Sequence, residues 1–126
     1  MSKFINLSNH PSNNWLASQL QEAQKYGEII DIPFPHIDAD ISEHEVEKLA
    51  AEYCEKIVAL NPAVVMVQGE FTFTYSVVRK LSAVGITCVA SCSNRIAKET
   101  KKDDGTILRE SVYEFKRFRP YEINNE

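Results

Sequence analysis

An uninterrupted apolar run, Ala63-Val64-Val65-Met66-Val67, constrains this chain more than any other segment. Asn61-Pro62 precedes it and a Gly69 turn follows. A short run of that kind reads as a strand buried on both faces, which is the signature of a parallel sheet covered by helices. The rest of the chain supplies those helices and further strands. Phe4–Leu7, Glu28–Ile32 and Ile86–Ala90 are the other expected strands, and Pro33-Phe34-Pro35 ends the second because proline cannot donate to a ladder. Trp15, Leu16, Leu20, Ala23 and Tyr26 fall at helical spacing, with Ser12 as the expected cap and Gly27 as the stop. Ser42-Glu43-His44-Glu45 has the Ser-x-x-Glu form of a capping box and opens a helix marked by Val46, Leu49, Ala50, Tyr53, Ile57 and Leu60. Tyr75, Val78, Leu81 and Ala83 mark a third helix, closed by Gly85.

After the fourth strand the alternation changes character. Arg95–Thr100 and Ile107–Phe118 flank Lys102-Asp103-Asp104-Gly105, and Asp-Gly is a strong hairpin turn signal. The fold class is therefore α/β: a Rossmann-like, mostly parallel sheet of order 2-1-3-4 with helices on both faces and a C-terminal antiparallel β-hairpin. With 126 residues the chain is read as one domain over residues 1–121, with residues 122–126 as a tail whose end, from Ile123, is expected to fray.

Order 2-1-3-4 makes strands one and three neighbours whose connections leave toward opposite faces, and ligands of such sheets bind in the crevice at that point. The two turns that build it are Ser8-Asn9-His10-Pro11-Ser12 and Gln68-Gly69-Glu70-Phe71-Thr72. His10 is the candidate for proton transfer, since imidazole exchanges protons near neutral pH; the competing reading makes it a cap or a loop ligand. His36 and His44 are weaker candidates, one in a proline-rich loop and one in an exposed first turn. Gly69 permits close backbone approach, and the amides of Glu70 to Thr72 would form an anion-binding helix N-terminus. Glu70 is a candidate base, metal ligand or cap. Ser8, Asn9, Gln68, Thr72 and Thr74 offer ligand-binding groups, against the reading that Phe71, Phe73 and Tyr75 simply pack the helix on the sheet. Ser91-Cys92-Ser93-Asn94-Arg95 follows strand four at the same edge. There Ser91, Ser93 and Asn94 are further ligand contacts, and the Arg95 guanidinium suits bidentate phosphate binding.

Other chemistries find no pattern. Cys54, Cys88 and Cys92 are odd in number and lack metal-ligand spacing, so they read as small buried hydrophobes. Asp31, Asp38 and Asp40 lack the spacing of a calcium loop and read as solvated acids. No metal or other cofactor is expected, and no GxSxG elbow, HExxH helix or Ser-His-Asp order is present. No stretch approaches the length of a membrane span, and Met1–Leu7 reads as one cation and a short strand rather than a signal peptide; the cytoplasm is the expected compartment. Charge is unevenly placed. Residues 1–94 hold 6 basic and 11 acidic side chains, whereas residues 95–119 hold 8 basic and 5 acidic. Duplex DNA is therefore not an expected partner, while a small anion at the C-terminal segment is.

The β-α units with a C-terminal hairpin, together with Leu7-Ser8-Asn9-His10-Pro11 after strand one and Gln68-Gly69-Glu70-Phe71-Thr72 after strand three, resemble the small single-domain CRISPR-associated Rossmann-fold (CARF) proteins, including compact ring nucleases of type III CRISPR systems. Glu70 stands where the turn of many such proteins carries a small or basic residue. The resemblance implies a homodimer that binds cyclic oligoadenylate across its two-fold axis. It also implies metal-independent cleavage, in which a ribose 2′-hydroxyl attacks the adjacent phosphorus and signalling is switched off. His10 would then act as acid or base, Arg95 and the Gly69-Glu70 amides would stabilise charge, and Trp15 would stack adenine or pack in the core. Two alternatives stay open on the residues alone: a non-catalytic sensor or sponge for the same messenger, and a generic nucleotide-binding module.

Overall fold

A computed structural model describes residues 2–123. The elements in chain order are β1 (Lys3–Ser8), a 3-10 turn (Ser12–Asn14), α1 (Ala17–Gln24), β2 (Glu28–Pro33), α2 (Glu43–Ala59), β3 (Val64–Gln68), α3 (Phe71–Ala83), β4 (Thr87–Lys101) and β5 (Ile107–Pro120). They form one five-stranded sheet of order β2-β1-β3-β4-β5. β1 runs parallel to β2 and β3, β3 parallel to β4, and β5 closes the edge antiparallel to β4. The α/β class, the order and the hairpin are those expected. Of the end expected to fray, residues 124–126 lie outside the described residues.

The alternation of β1 and β3 divides the core in two. Ile5, Leu7, Val65 and Val67 face α2 and α3, joined there by Ala50, Ile57, Phe73, Val77 and Leu81. Phe4, Val64, Met66 and Val89 face α1, where Ala23, Phe115 and Phe118 complete a smaller cluster. Full burial of aliphatic side chains of this size contributes about 1.5–3 kcal/mol each. Glu47 on α2 also ties the two helices of the larger layer together. It accepts from Ser76 at 2.8 Å and pairs with Arg79 at 2.7 Å and Lys80 at 2.9 Å. These donors, Lys80 foremost, pull its carboxyl down to about 2. Among the described residues no helix is long and apolar enough to cross a membrane.

The local signals act as their chemistry dictates. Ser42 caps α2 by accepting from the Glu45 amide at 3.2 Å. Asn61 ends that helix at a φ of 54°, in the left-handed region that Asn tolerates. Gly27 follows α1 at a φ of 131°, and a Cβ there would sit 2.0 Å from the Ser2 carbonyl oxygen. Glycine is obligatory at that position.

Three expectations are corrected. The first helix does not start at Ser12, because the Ser12 amide and hydroxyl are both taken by Asp31 on β2. The chain makes a short 3-10 turn, extends through Trp15 and Leu16, and begins α1 at Ala17. Tyr75 does not belong to the packed stripe of α3. Phe73, Val77, Val78 and Leu81 do, leaving Tyr75 69% and Phe71 88% exposed. Ser91–Arg95 does not follow the fourth strand, as expected, but is part of it. It lies within a continuous β4, because β5 pairs with every one of these residues, from Ser91 opposite Phe118 to Arg95 opposite Tyr113.

Candidate functional site

β1 and β3 lie side by side with Ser8 opposite Gln68. Past Ser8 the chain turns toward the α1 face, and past Gln68 toward the α3 face. The sheet therefore has its switch point where the order predicts it.

A hydrogen-bonded knot of side chains sets the first turn. Asn6, 1% exposed, donates from Nδ2 to the His10 carbonyl at 2.9 Å and to Asp31 Oδ1 at 2.9 Å. Its Oδ1 accepts from the Ser8 hydroxyl at 2.6 Å, and Ser8 Oγ in turn accepts from the His10 amide at 3.1 Å. Trp15 Nε1 donates to the same His10 carbonyl at 2.9 Å. The backbone of His10 is thus held on three sides while its side chain stays exposed. Trp15 packs edge-on against Phe4, with ring centroids 6.2 Å apart, so core packing fixes its indole beside His10.

His10 opens onto a cavity of about 720 Å³ on the α1 face. Trp15 and Tyr113 border it as aromatic walls, Met66 lies at its base, and Gln68, Ser91 and Ser93 supply polar groups. The Gln68 side-chain carbonyl accepts from the Ser91 amide, which bridges β3 to β4 just beyond their last paired residues, Met66 and Val89. That bond uses the oxygen end of Gln68 and leaves its NH₂ donors for a ligand. Four expected site residues therefore meet in one place: His10, Gln68, Ser91 and Ser93. Tyr113, Asn14 and Gln19 also border this cavity. The sequence reading passed over them, although counting outward from the Gly105 turn places Tyr113 opposite Arg95.

The remaining expected residues are elsewhere. Ser8 and Asn9 line a smaller crevice of about 150 Å³ with Asn6 and Asp31. Glu70 is a helix cap: it accepts from the Phe73 amide and the Thr72 hydroxyl, each at 2.7 Å, and the Phe73 bond foremost holds its carboxyl below the ordinary range. Its carboxylate occupies the N-terminus of α3, which displaces the expected anion site there. A Cβ at Gly69 would lie 2.4 Å from the Phe34 ring, so the absence of a side chain there makes room for that aromatic ring. Gly69 and Thr74 border a cavity of about 480 Å³ on the α3 face, with Phe71, Tyr75 and Tyr121. The Thr74 hydroxyl there is buried without a hydrogen-bond partner among the described residues. Asn94 and Arg95 stand on the exposed hairpin, where Arg95 Nε donates to Ser111 at 2.9 Å instead of reaching His10's cavity. Asp31, expected to be a solvated acid, serves as the acceptor that ties β2 to the His10 turn. Among the described residues no group of three or more His, Cys, Asp or Glu side chains comes together in a way that could hold a metal ion.

A family model described as the uncharacterized protein MJ1673 family matches residues 2–119, and the chain belongs to that family. Comparison with curated proteins and with solved structures returns no match.

Proposed function

We propose that this member of the MJ1673 family is a CARF-like ring nuclease: it binds a cyclic oligoadenylate at the β1–β3 switch point and cleaves it, ending a type III CRISPR signal in the cytoplasm. The observation that carries the reading is the cavity itself. It sets one exposed imidazole among two aromatic side chains and five polar ones, at the sheet edge where ligands of parallel α/β sheets collect. Trp15 and Tyr113 would stack adenine bases. The Gln68 amide and the Ser91 and Ser93 hydroxyls would hold base edges or phosphate oxygens. Cleavage needs a ribose 2′-hydroxyl to attack the adjacent phosphorus in line. As the new P–O bond forms, the bond to the 5′-oxygen breaks, leaving a cyclic phosphate and a 5′-hydroxyl. His10 would take the proton from the 2′-hydroxyl or deliver one to the 5′-oxygen. Two copies would share one ring across a two-fold axis.

A second reading, a sensor or sponge that binds the ring without cutting it, is favoured by one observation. Glu70 and Arg95, the other expected catalytic groups, do not border the His10 cavity.

Purified protein incubated with cyclic tetra- and hexa-adenylate should yield linear products. His10→Ala should keep ring affinity and lose cutting by at least about 100-fold, the usual contribution of a general acid or base. Binding without products selects the sensor. Unchanged cutting by His10→Ala removes His10 from the mechanism. Thermal stabilisation by ATP or NAD but by neither ring favours a general nucleotide module and overturns both readings.

A further inference from the structure

α3 carries a second stripe besides the one that packs into the core. Phe73, Val77 and Leu81 are fully buried in the larger core cluster. Phe71, Thr74, Tyr75 and Val78 fall at the i, i+3, i+4, i+7 spacing of another helix face. All four border the cavity of about 480 Å³ on the α3 side of the sheet. Ala90 on β4 and Tyr121 beyond β5 border it as well. The Tyr121 amide donates to the Cys88 carbonyl and its hydroxyl to the Val67 carbonyl, so the ring lies across β4 and is held at both ends. Phe71 and Tyr75 stand at the mouth with most of their surface in solvent.

The polar groups around this cavity narrow what could enter it. Thr74 is 8% exposed, and its hydroxyl has no partner among the described residues. Buried hydroxyls are ordinarily paired, which makes this one a candidate contact for a polar edge of a bound molecule. Among the described residues no carboxylate borders the cavity. Cations stand beside it on the β5 side. Arg119 lies directly opposite Ala90 and Arg117 opposite Cys92, on the same face of the sheet. Both are exposed, and among the described residues every ion pair is made by other side chains. The acids Asp38, Glu43 and Glu70 border a separate groove that meets this one at Tyr75. The cavity is therefore aromatic inside and cationic along its β5 rim.

We propose that this cavity is a second binding site, for a small planar aromatic anion. The ring enters between Tyr121 and the Phe71–Tyr75 edge of α3, where stacked and edge-on aromatic contacts are both open to it. Its carboxylate or phosphate meets the forked guanidinium of Arg119, with Arg117 two residues further along β5. A polar atom on the inner edge of the ring meets Thr74. The volume falls within the roughly 300–1,000 Å³ of small-molecule sites. The site lies on the opposite face of the sheet from His10, and among the described residues only Gln68 borders both cavities. It stands whether or not a cyclic nucleotide is bound or cut on the other face.

Amide-shift titration of the full chain by NMR, with no nucleotide present, tests it. The probes are indole-3-acetate, 1-naphthyl phosphate and the neutral indole-3-ethanol. Both anions should bind with Kd at or below about 1 mM, as molecules of this size do in a formed pocket. The alcohol should bind at least about tenfold more weakly than indole-3-acetate, and the shifts should centre on Thr74, Val78 and Ala90. The tighter of the two anions assigns the acidic group as carboxylate or phosphate. Phe71→Ala/Tyr75→Ala alters two largely exposed side chains, so it should melt cooperatively and weaken both anions at least about tenfold. Arg119→Ala should close the gap between indole-3-acetate and the alcohol. Kd values above about 1 mM for both anions overturn the proposal. So do shifts centred on His10 and Tyr113, or affinities that neither variant changes.

Discussion

Asn6 offers the sharpest test of how this sequence builds its switch-point turn. It is a buried amide with both ends in use: two bonds from Nδ2, to the His10 carbonyl and Asp31, and one to Oδ1 from Ser8. Asn6→Ala removes all three. Water can reach the freed Asp31 carboxylate, which is exposed, but Ser8 is 4% exposed and its hydroxyl loses its closest acceptor. At a net contribution of about 1 kcal/mol per bond, the variant should lose about 3 kcal/mol of stability. Urea denaturation would show this as a lower midpoint with an unchanged slope. A cycle with Asp31→Ala should return a coupling of about 1 kcal/mol, because the two side chains share a bond. A loss below about 0.5 kcal/mol would mean that the turn is held by Trp15 and the strand ladder alone, and the account of the knot would be wrong.

Two further outcomes follow from the packing. Gly69→Ala should destabilise by about 1–3 kcal/mol through overlap with the Phe34 ring, and Phe34→Leu in the same chain should relieve part of that loss, read as non-additivity in denaturation. Glu47 has its carboxyl lowered from 4.5 to about 2 in the folded protein. A depressed carboxyl contributes stability above its unfolded value and loses it as pH falls through the folded one. The advantage of the wild type over Glu47→Gln should therefore hold at neutral pH and shrink between about 4.5 and about 2 in acid denaturation; an advantage that persists unchanged to pH 2 refutes the clamp.

The sheet was legible because its signals are local and agree with one another. The Val64–Val67 run, the Ser42 cap, the Asn61-Pro62 stop and the Asp-Gly turn each specify a piece, and parallel connectivity leaves few ways to join them. The site was half legible. Strand order brought Ser8 and Gln68 together, and the turns beyond them carry His10. What the sequence hid were competitions between side chains for the same backbone groups. Ser12 is a good cap in isolation, but Asp31, nineteen residues away, takes both its amide and its hydroxyl. The amides at the start of α3 suit an anion, but Glu70 already supplies one. Gly69 looked like room for a ligand because nothing local announces that Phe34 fills that space. Each of these depends on a partner that only the folded chain brings near.

One irregularity joins the core, the cavity and the hairpin. Phe115 and Phe118 are three residues apart, so a regular strand would place them on opposite faces. The register shift at Cys92/Ser93 pairs Cys92 with Arg117 and Ser93 with Phe115, which leaves Lys116 as an extra residue in β5. That β-bulge returns both rings to the α1 face, where their centroids lie 5.0 Å apart and Phe118 meets Phe4 at 4.9 Å. The same shift decides the parity of the β5 residues further out. With it, Tyr113 stands on the α1 side and walls the His10 cavity, while Val112 joins Ile96 on the α3 side. Without it the two would trade faces, taking the aromatic wall away from the cavity and separating Val112 from Ile96. A single extra residue therefore sets the packing of the smaller core and the lining of the cavity.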